Sequence, residues 1–236
     1  MSPPGVTLIV IAKEPLPGRC KTRLCPPLDH EQAARLAEAA LADTLAAVAS
    51  TPAPRRMLAL DGSPGEWLPA GFDVVGQPAG GLGRRLAAAF DAADGPALLV
   101  GMDTPQLTPG LLADAIALLD GSGRADAVLG PASDGGYWAI GLRDPDREVF
   151  DGVPMSTAAT AAVQRRRLSE LGLRWRALGE LRDVDVIDDA VAVAASAPRT
   201  RFAAALGRMP AAARATSART TADLASPAVA PAAGRS

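Results

Sequence analysis

The chain has 236 residues, 48% hydrophobic and only 3% aromatic, with 24 Lys and Arg against 26 Asp and Glu for a formal net charge of -2. Such a length can bury a sizeable core in one domain of the ~100–200-residue kind with chain to spare, and the near balance of charge gives no bulk attraction to nucleic acid or to an anionic membrane. A single histidine, His30, and two cysteines, Cys20 and Cys25, are too few for a zinc centre of Cys and His ligands, so the cysteines read as free thiols of a reducing cytoplasm.

The first apolar run, Val6–Ala12, is too short to span a membrane and has neither a basic leader nor a small-residue cleavage pattern behind it, so a soluble, unprocessed, cytoplasmic protein is expected. It reads as a strand buried on both faces. Directly after it comes KEPLPGRCKTRL, which sets Lys13, Arg19, Lys21 and Arg23 beside Gly18, whose missing side chain lets backbone N–H groups approach an anion. A solvated basic loop is the plain alternative; four cations at the mouth of a buried strand favour a phosphate grip. Lys21-Thr22 mimics the end of a P-loop, yet the glycines that motif needs before its lysine are missing, because Gly18 stands alone.

A helix follows over Glu31–Ala49, with Leu36, Ala40, Leu41, Thr44, Leu45 and Val48 on one face and Asp29 with Gln32 as a capping box. Arg56–Leu60 and Phe72–Val75 read as strands. The stretch QPAGGLGRRLAAAF leads into a helix over Leu82–Ala92; its glycines either form a simple turn or admit a base or sugar against Gly81 and Gly83, with Arg84 or Arg85 on a phosphate. After the strand Ala97–Met102, Pro105 stops the backbone ladder and turns Asp103 out at the edge where parallel sheets bind ligands. Asp103 there either caps a turn or holds a hard divalent cation that bridges substrate phosphates; Mg2+ keeps most of its waters and needs only one or two carboxylates. Thr108-Pro109 then opens a helix over Leu111–Leu119.

In the second half, Ala127–Gly130, Tyr137–Leu142 and Arg174–Leu178 read as strands, and Thr157–Leu171 and Asp188–Ala195 as helices. Between the first two strands, GPASDGGYWAIGL places Asp134, Gly135, Gly136 and Tyr137 in a loop that is either a turn or an acceptor-positioning segment, with Asp134 as hydrogen-bond acceptor or base. In LRDVDVIDDA, Asp183 and Asp185 lie two apart and project to one face of an extended segment, leaving Asp188 or Asp189 to serve the next helix; a solvated acidic face is the alternative. The β/α alternation predicts a mainly parallel α/β sheet with crossover helices, mixed in its second half, over residues 1–198. Beyond Pro198 an Ala/Arg/Pro-rich tail, 199–236, has six arginines against Asp223, a charge of +5 that leaves -7 for the rest; 199–209 can add a helix, and 211–236 read as disordered.

Taken jointly, AKEPLPGRCKTRL, GGLGRRLAAAF, GMDTPQL, LGPASDGGYWAIGL, VFDGVPMST and DVDV resemble the bacterial radical-SAM/selenodomain-associated transferase type 1 family, a branch of the nucleotide-diphospho-sugar transferase superfamily, over roughly residues 5 to 195. The resemblance implies a Rossmann-like GT-A three-layer sandwich. It implies a nucleotide or nucleotide-sugar donor, a small-molecule acceptor and Mg2+ or Mn2+. It also implies that Lys21 and Arg23 hold nucleotide phosphates, that Asp103 is the acidic metal ligand after the central strand and that Asp185 is the second ligand. Joined to the residue-level reading, this gives an expected site with Asp103, Lys21 and Asp134 at the chemistry and Asp103 and Asp185 on the metal. Lys13, Gly18, Lys21, Thr22, Arg23, Gly81, Gly83 and Arg85 lie on the nucleotide, and Gly135, Gly136, Tyr137 and Ser156 face the acceptor. The chain departs from the family pattern at Cys20, where an aliphatic residue is usual, at Met155, where relatives often carry Trp, and at Val186-Ile187, which replace a common Thr-Pro. A metal-dependent, glycosyltransferase-like enzyme is the leading expectation. The alternatives are a nucleotidyltransferase that releases pyrophosphate and a nucleotide-binding module without turnover.

Overall fold

Along the first strand, β1 (Thr7–Lys13), alternate side chains enter two different cores: Leu8, Val10 and Ala12 on one side of the sheet, Ile9 on the other. This is the period of two set by the pleat, and it explains why the run is continuously apolar. The structure, a computed structural model, describes residues 5–120 and 125–214. In chain order the other elements are α1 (His30–Ala49), β2 (Arg56–Asp61), β3 (Asp73–Gly76), α2 (Leu82–Ala93), β4 (Ala97–Gly101), α3 (Pro109–Leu119), β5 (Ala127–Pro131), β6 (Tyr137–Leu142), α4 (Thr160–Glu170), β7 (Trp175–Ala177), α5 (Ile187–Ser196) and α6 (Arg201–Gly207). The sheet runs β3-β2-β1-β4-β6-β5-β7, parallel throughout except for β6, which is antiparallel to both neighbours. The expected mainly parallel, Rossmann-like sandwich with a mixed second half is therefore present, with α1 and α3 packed on one face and α2 and α4 on the other.

Local chemistry sets the ends of the helices. Asp29 accepts from the Gln32 amide while the Gln32 side chain accepts from the Asp29 amide, which closes the expected capping box on α1. Thr108 caps α3 and Pro109 fits its first turn, so the helix opens two residues earlier than its apolar pattern suggests. Conversely α4 opens at Thr160, because the single Thr160 hydroxyl proton is shared between the carbonyls of Pro154 and Thr157, each 2.8 Å away, and holds the preceding residues in a turn.

Helix α1 is buried on two sides. Leu41, Leu45 and Val48 face the sheet, whereas Leu36 and Ala40, expected on that same face, pack with Ala33 against α5 and α6. The cluster they form includes Leu24, Val184, Val193, Phe202, Leu206 and Met209. Helix α6 is tied down at its start by Asp43, whose carboxylate accepts the amides of Arg201 and Phe202 at 3.0 and 2.8 Å, and by the Thr200 cap. The helix expected within 199–209 is α6, buried against α1, and Ala211–Arg214 add a 3-10 turn where disorder was expected. The remainder of that expectation, 215–236, lies outside the described residues. No helix among the described residues is long and apolar enough to cross a membrane.

At the far edge Asp126 binds Arg174 through Nε at 2.8 Å and NH2 at 2.9 Å and also accepts the Arg174 amide, which fastens the approach to β5 onto the approach to β7. The hydrogen-bonded guanidinium holds the Asp126 carboxyl at about 2. A carboxyl depressed in the folded state stabilises above its unfolded value, about 4, and loses that contribution as pH falls through the folded one. The melting temperature should therefore fall between about pH 4 and about pH 2 more steeply in the wild type than in Asp126→Asn. Equal slopes in a pH series of thermal melts would contradict this.

Candidate active site

The chain leaves β1 toward β2 on one side of the sheet and returns to β4 on the other, so the loops after β1 and β4 diverge and leave a crevice at the carboxyl edge. An open cavity of about 640 Å³ lies there, within the ~300–1,000 Å³ range of small-molecule sites.

Its floor is built by the basic loop. Lys21 adopts a left-handed backbone, φ +51°, and leads into a 3-10 turn over Thr22–Leu24 that the fully buried Leu24 anchors in the α1/α5/α6 cluster. The turn drives the Lys21 side chain inward until only 7% of it is exposed; Nζ lies 2.6 Å from Asp103 Oδ1 and donates to the Val184 carbonyl. The Val184 amide in turn donates to the Asp103 carbonyl at 3.0 Å. Arg23 reaches the same segment, NH1 to Asp185 Oδ2 at 2.7 Å. The N-terminal cations and the mid-chain aspartate, expected to share one crevice, do share it. Each of the two acidic residues expected to hold a metal has one of the loop's own cations on it.

The opposite wall is braced by a second network. Gln77 donates through Nε2 to the carbonyls of Ala12 and Ala59, both at 2.8 Å, and so bridges the carboxyl ends of β1 and β2. Arg85 of α2 donates to Asp61 at 2.7 Å, to the Gln77 side-chain Oε1 at 3.2 Å and to the Gly80 backbone carbonyl at 3.1 Å, and Arg19 approaches Asp61 at 3.6 Å. The Arg85 hydrogen bond holds the Asp61 carboxyl below its usual range.

Three carboxylates converge on the remaining side: oxygens of Asp134, Asp183 and Asp185 lie within 4.8 Å of one another. The loop after β5 meets the 181–186 segment in a short parallel pairing, where Leu181 donates to the Pro131 carbonyl and Ser133 donates to that of Leu181, both at 3.1 Å. Asp134 is oriented by accepting the Gly136 amide at 2.7 Å. Burial, together with the like charges of Asp134 and then Asp185, pushes the Asp183 carboxyl up to about 6. An all-carboxylate set of this kind fits a hard divalent cation, whose charge offsets the crowding that otherwise favours a proton.

The expected site residues divide. Lys13, Lys21, Thr22, Arg23, Arg85, Asp103, Asp134, Gly136, Tyr137, Ser156 and Asp185 line the cavity. Gly18, Gly81, Gly83 and Gly135 do not; Gly80 and Leu82 stand at the wall, and Gly83 faces Phe150 and Met155. Gly135 has a packing role: at φ +89°, a Cβ there would lie 2.1 Å from the Ala158 carbonyl oxygen. Tyr137 is a neutral donor, its phenol raised by burial and its hydroxyl 3.4 Å from Gln164 Oε1. Asp183 was visible in sequence only as half of a same-face pair, and nothing local pointed to its meeting with Asp134.

This sheet order and edge cavity define the Rossmann-like GT-A fold of the nucleotide-diphospho-sugar transferase superfamily. A Desulfovibrio desulfuricans G20 protein provisionally described as a nucleotide-diphospho-sugar transferase superposes with a TM-score of 0.79 at 26% identity, over 89% of this chain and 96% of its own. Within that class, residues 33–157, more than half the chain, match DUF2064, an uncharacterized protein family conserved in bacteria, and the chain belongs to that family. The 2-C-methyl-D-erythritol 4-phosphate cytidylyltransferase of Thermus thermophilus shares the fold at a TM-score of 0.52 and 16% identity, over 82% of this chain and 99% of its own. Glucosyl-3-phosphoglycerate synthase of Mycobacterium tuberculosis does so at 0.52 and 11%, over 88% of this chain and 82% of its own. No curated protein matches the chain.

Proposed function

We propose that this chain is a divalent-cation-assisted transferase that uses a nucleotide-activated donor, of the radical-SAM/selenodomain-associated type 1 branch, with glycosyl transfer as the leading reaction. One observation carries the reading: Lys13, Arg19 and Arg23 line the same cavity as the converging carboxylates Asp134, Asp183 and Asp185. Cations beside a carboxylate cluster suit a bound phosphate chain and its counter-ion. The D. desulfuricans protein's description supports a nucleotide-sugar donor, and the M. tuberculosis synthase of the same fold is complexed with Mn2+ and UDP.

In this reading Asp134, Asp183 and Asp185 would hold Mg2+ or Mn2+, with Asp103 adjacent. The ion supplies charge neutralisation on the phosphates. Lys13, Arg19 and Arg23 offset the negative charge that grows on the leaving phosphate, a preorganised electrostatic role. Tyr137, donating to Gln164, and Ser156 shape the side of the cavity toward a small-molecule acceptor. A second reading, nucleotidyl transfer with release of pyrophosphate, is favoured by the number of cations at the cavity, which suits a triphosphate, and by the cytidylyltransferase that shares the fold.

Incubation with Mn2+ or Mg2+ and a panel of GTP, CTP, UTP, UDP-sugars and GDP-sugars, with chromatography of the products, tests both readings. Release of a nucleoside diphosphate from a sugar donor supports glycosyl transfer, and pyrophosphate release supports nucleotidyl transfer. Metal-dependent binding with no consumption of any donor would instead identify a nucleotide-binding module, and absence of binding would end all three.

A further inference from the structure

Lys21 is built unlike the other cations of the cavity. Its side chain is 7% exposed, whereas that of Arg23 is 69% exposed and Lys13 makes no ion pair among the described residues. A buried ammonium needs a charged partner and hydrogen-bond acceptors to stay ionised, and Lys21 has both in Asp103 Oδ1 and the Val184 carbonyl. We propose that Lys21 is a positioning residue: its ammonium clasps Asp103 to the 181–186 segment and so sets the spacing of the acidic side chains, while Lys13 and Arg23 meet the phosphates of a bound nucleotide.

The clasp is closed on both sides. Lys21 bonds the Val184 carbonyl, Val184 donates its amide to the Asp103 carbonyl, and the Asp103 carboxylate returns to Lys21. Gln106, three residues beyond Asp103, adds a further tie through Nε2 to the Arg182 carbonyl at 2.5 Å. Val184 is fully buried and lies between Asp183 and Asp185, so whatever fixes its peptide fixes where those two carboxylates stand. Two of the three Lys21 donors are spent inside the protein, whereas Arg23 uses a single NH1 on Asp185 and keeps the rest of its planar fork for phosphate oxygens. The resemblance assigned Lys21 to the phosphates; its burial points inward instead.

The phosphate half of this inference rests on the proposed nucleotide reading of the cavity; the clasp rests only on the carboxylates Asp134, Asp183 and Asp185 holding a divalent cation. The full chain is titrated with Mn2+ alone, followed by electron paramagnetic resonance, and with inorganic tripolyphosphate, followed by calorimetry, in wild type, Lys21→Met, Lys13→Met and Arg23→Met. Simple electrostatics makes Mn2+ bind more tightly once a neighbouring cation is removed, whereas loss of positioning makes it bind more weakly, so the sign separates the two. Lys21→Met is expected to weaken Mn2+ binding about tenfold yet weaken tripolyphosphate less than Lys13→Met and Arg23→Met, each of which loses about tenfold. If Lys21→Met does not fold, Lys21→Gln, which keeps a donor for the Val184 carbonyl, should show the same signs. Unchanged or tighter Mn2+ binding, or no Mn2+ binding by the wild type, overturns the clasp. Tripolyphosphate loss that is largest in the Lys21 variant overturns the division of roles. A wild type that binds Mn2+ but no tripolyphosphate ends the nucleotide reading and the phosphate roles with it, leaving the clasp to be judged on the sign of the Mn2+ effect.

Discussion

Asp183→Asn should raise the melting temperature of the metal-free protein at pH 8 and abolish its stabilisation by Mn2+. The Asp183 carboxyl is half-buried beside two other carboxylates and titrates at about 6, above the roughly 3.9 of an unfolded chain. For a carboxyl raised in the folded state, the favourable state is the protonated one, so its contribution is intact below about pH 4 and lost as pH rises through 6. Above that pH the ionised group destabilises the fold by about 1–2 kcal/mol once partial solvent screening is allowed for. Asparagine keeps the shape and removes the charge, so the gain should appear at pH 8 and vanish near pH 4. The same change takes one of three oxygen donors from the cation and should weaken Mn2+ by roughly a hundredfold. Calorimetric melts at pH 4 and pH 8, with and without Mn2+, read both effects. An Mn2+-induced shift that survives in Asp183→Asn would remove this residue from the cation site.

Gly135→Ala is expected to cost roughly 3–5 kcal/mol, which for a domain of this size lowers the melting temperature by roughly 10–15 °C. The added methyl would stand 2.1 Å from the Ala158 oxygen, 2.6 Å from its carbonyl carbon and 2.7 Å from its Cα, all backbone atoms that no rotamer change can move aside. The φ of +89° is itself strained for a residue with a Cβ. Relief requires the 132–136 loop to part from the start of α4, breaking the bond from the Ala161 amide to the Gly135 carbonyl and displacing Asp134. Gly81→Ala is the matched control, since nothing lies within 4 Å of a Cβ there and its φ is -70°. Comparable melting temperatures for the two variants would refute the packing role.

These two positions also mark what could and could not be seen in the sequence. Features written in adjacent residues were legible: the Asp29–Gln32 box, the apolar runs of β1 and β4, the Thr108-Pro109 helix start, and the cations and Asp103 at the carboxyl edge. What was not legible depends on contacts between distant segments. Asp134 joins Asp183 and Asp185 only because the loop after β5 pairs with residues near 181, and Gly135 is confined by a carbonyl on another turn of chain. Lys21 read in sequence as one of the loop's phosphate-gripping cations; its inward course follows from its left-handed backbone and from Leu24, whose burial site α5 and α6 complete from the far end of the chain. Likewise the second apolar side of α1 is meaningful only once α5 and α6 are known to cover it.

That cover makes α6 part of the packed interior. A protein ended at Pro198 would take Phe202, Ala205, Leu206 and Met209 out of the cluster that covers Ala33, Leu36 and Ala40 of α1, and would strip the Asp43 carboxylate of both amides it accepts. Since Leu24 and Val184 share that same apolar pool, shortening the C-terminus would also loosen the two segments that carry the cations and carboxylates. A stretch whose composition suggests a dispensable appendage is, through Met209, packed into the same core as the segments that line the cavity.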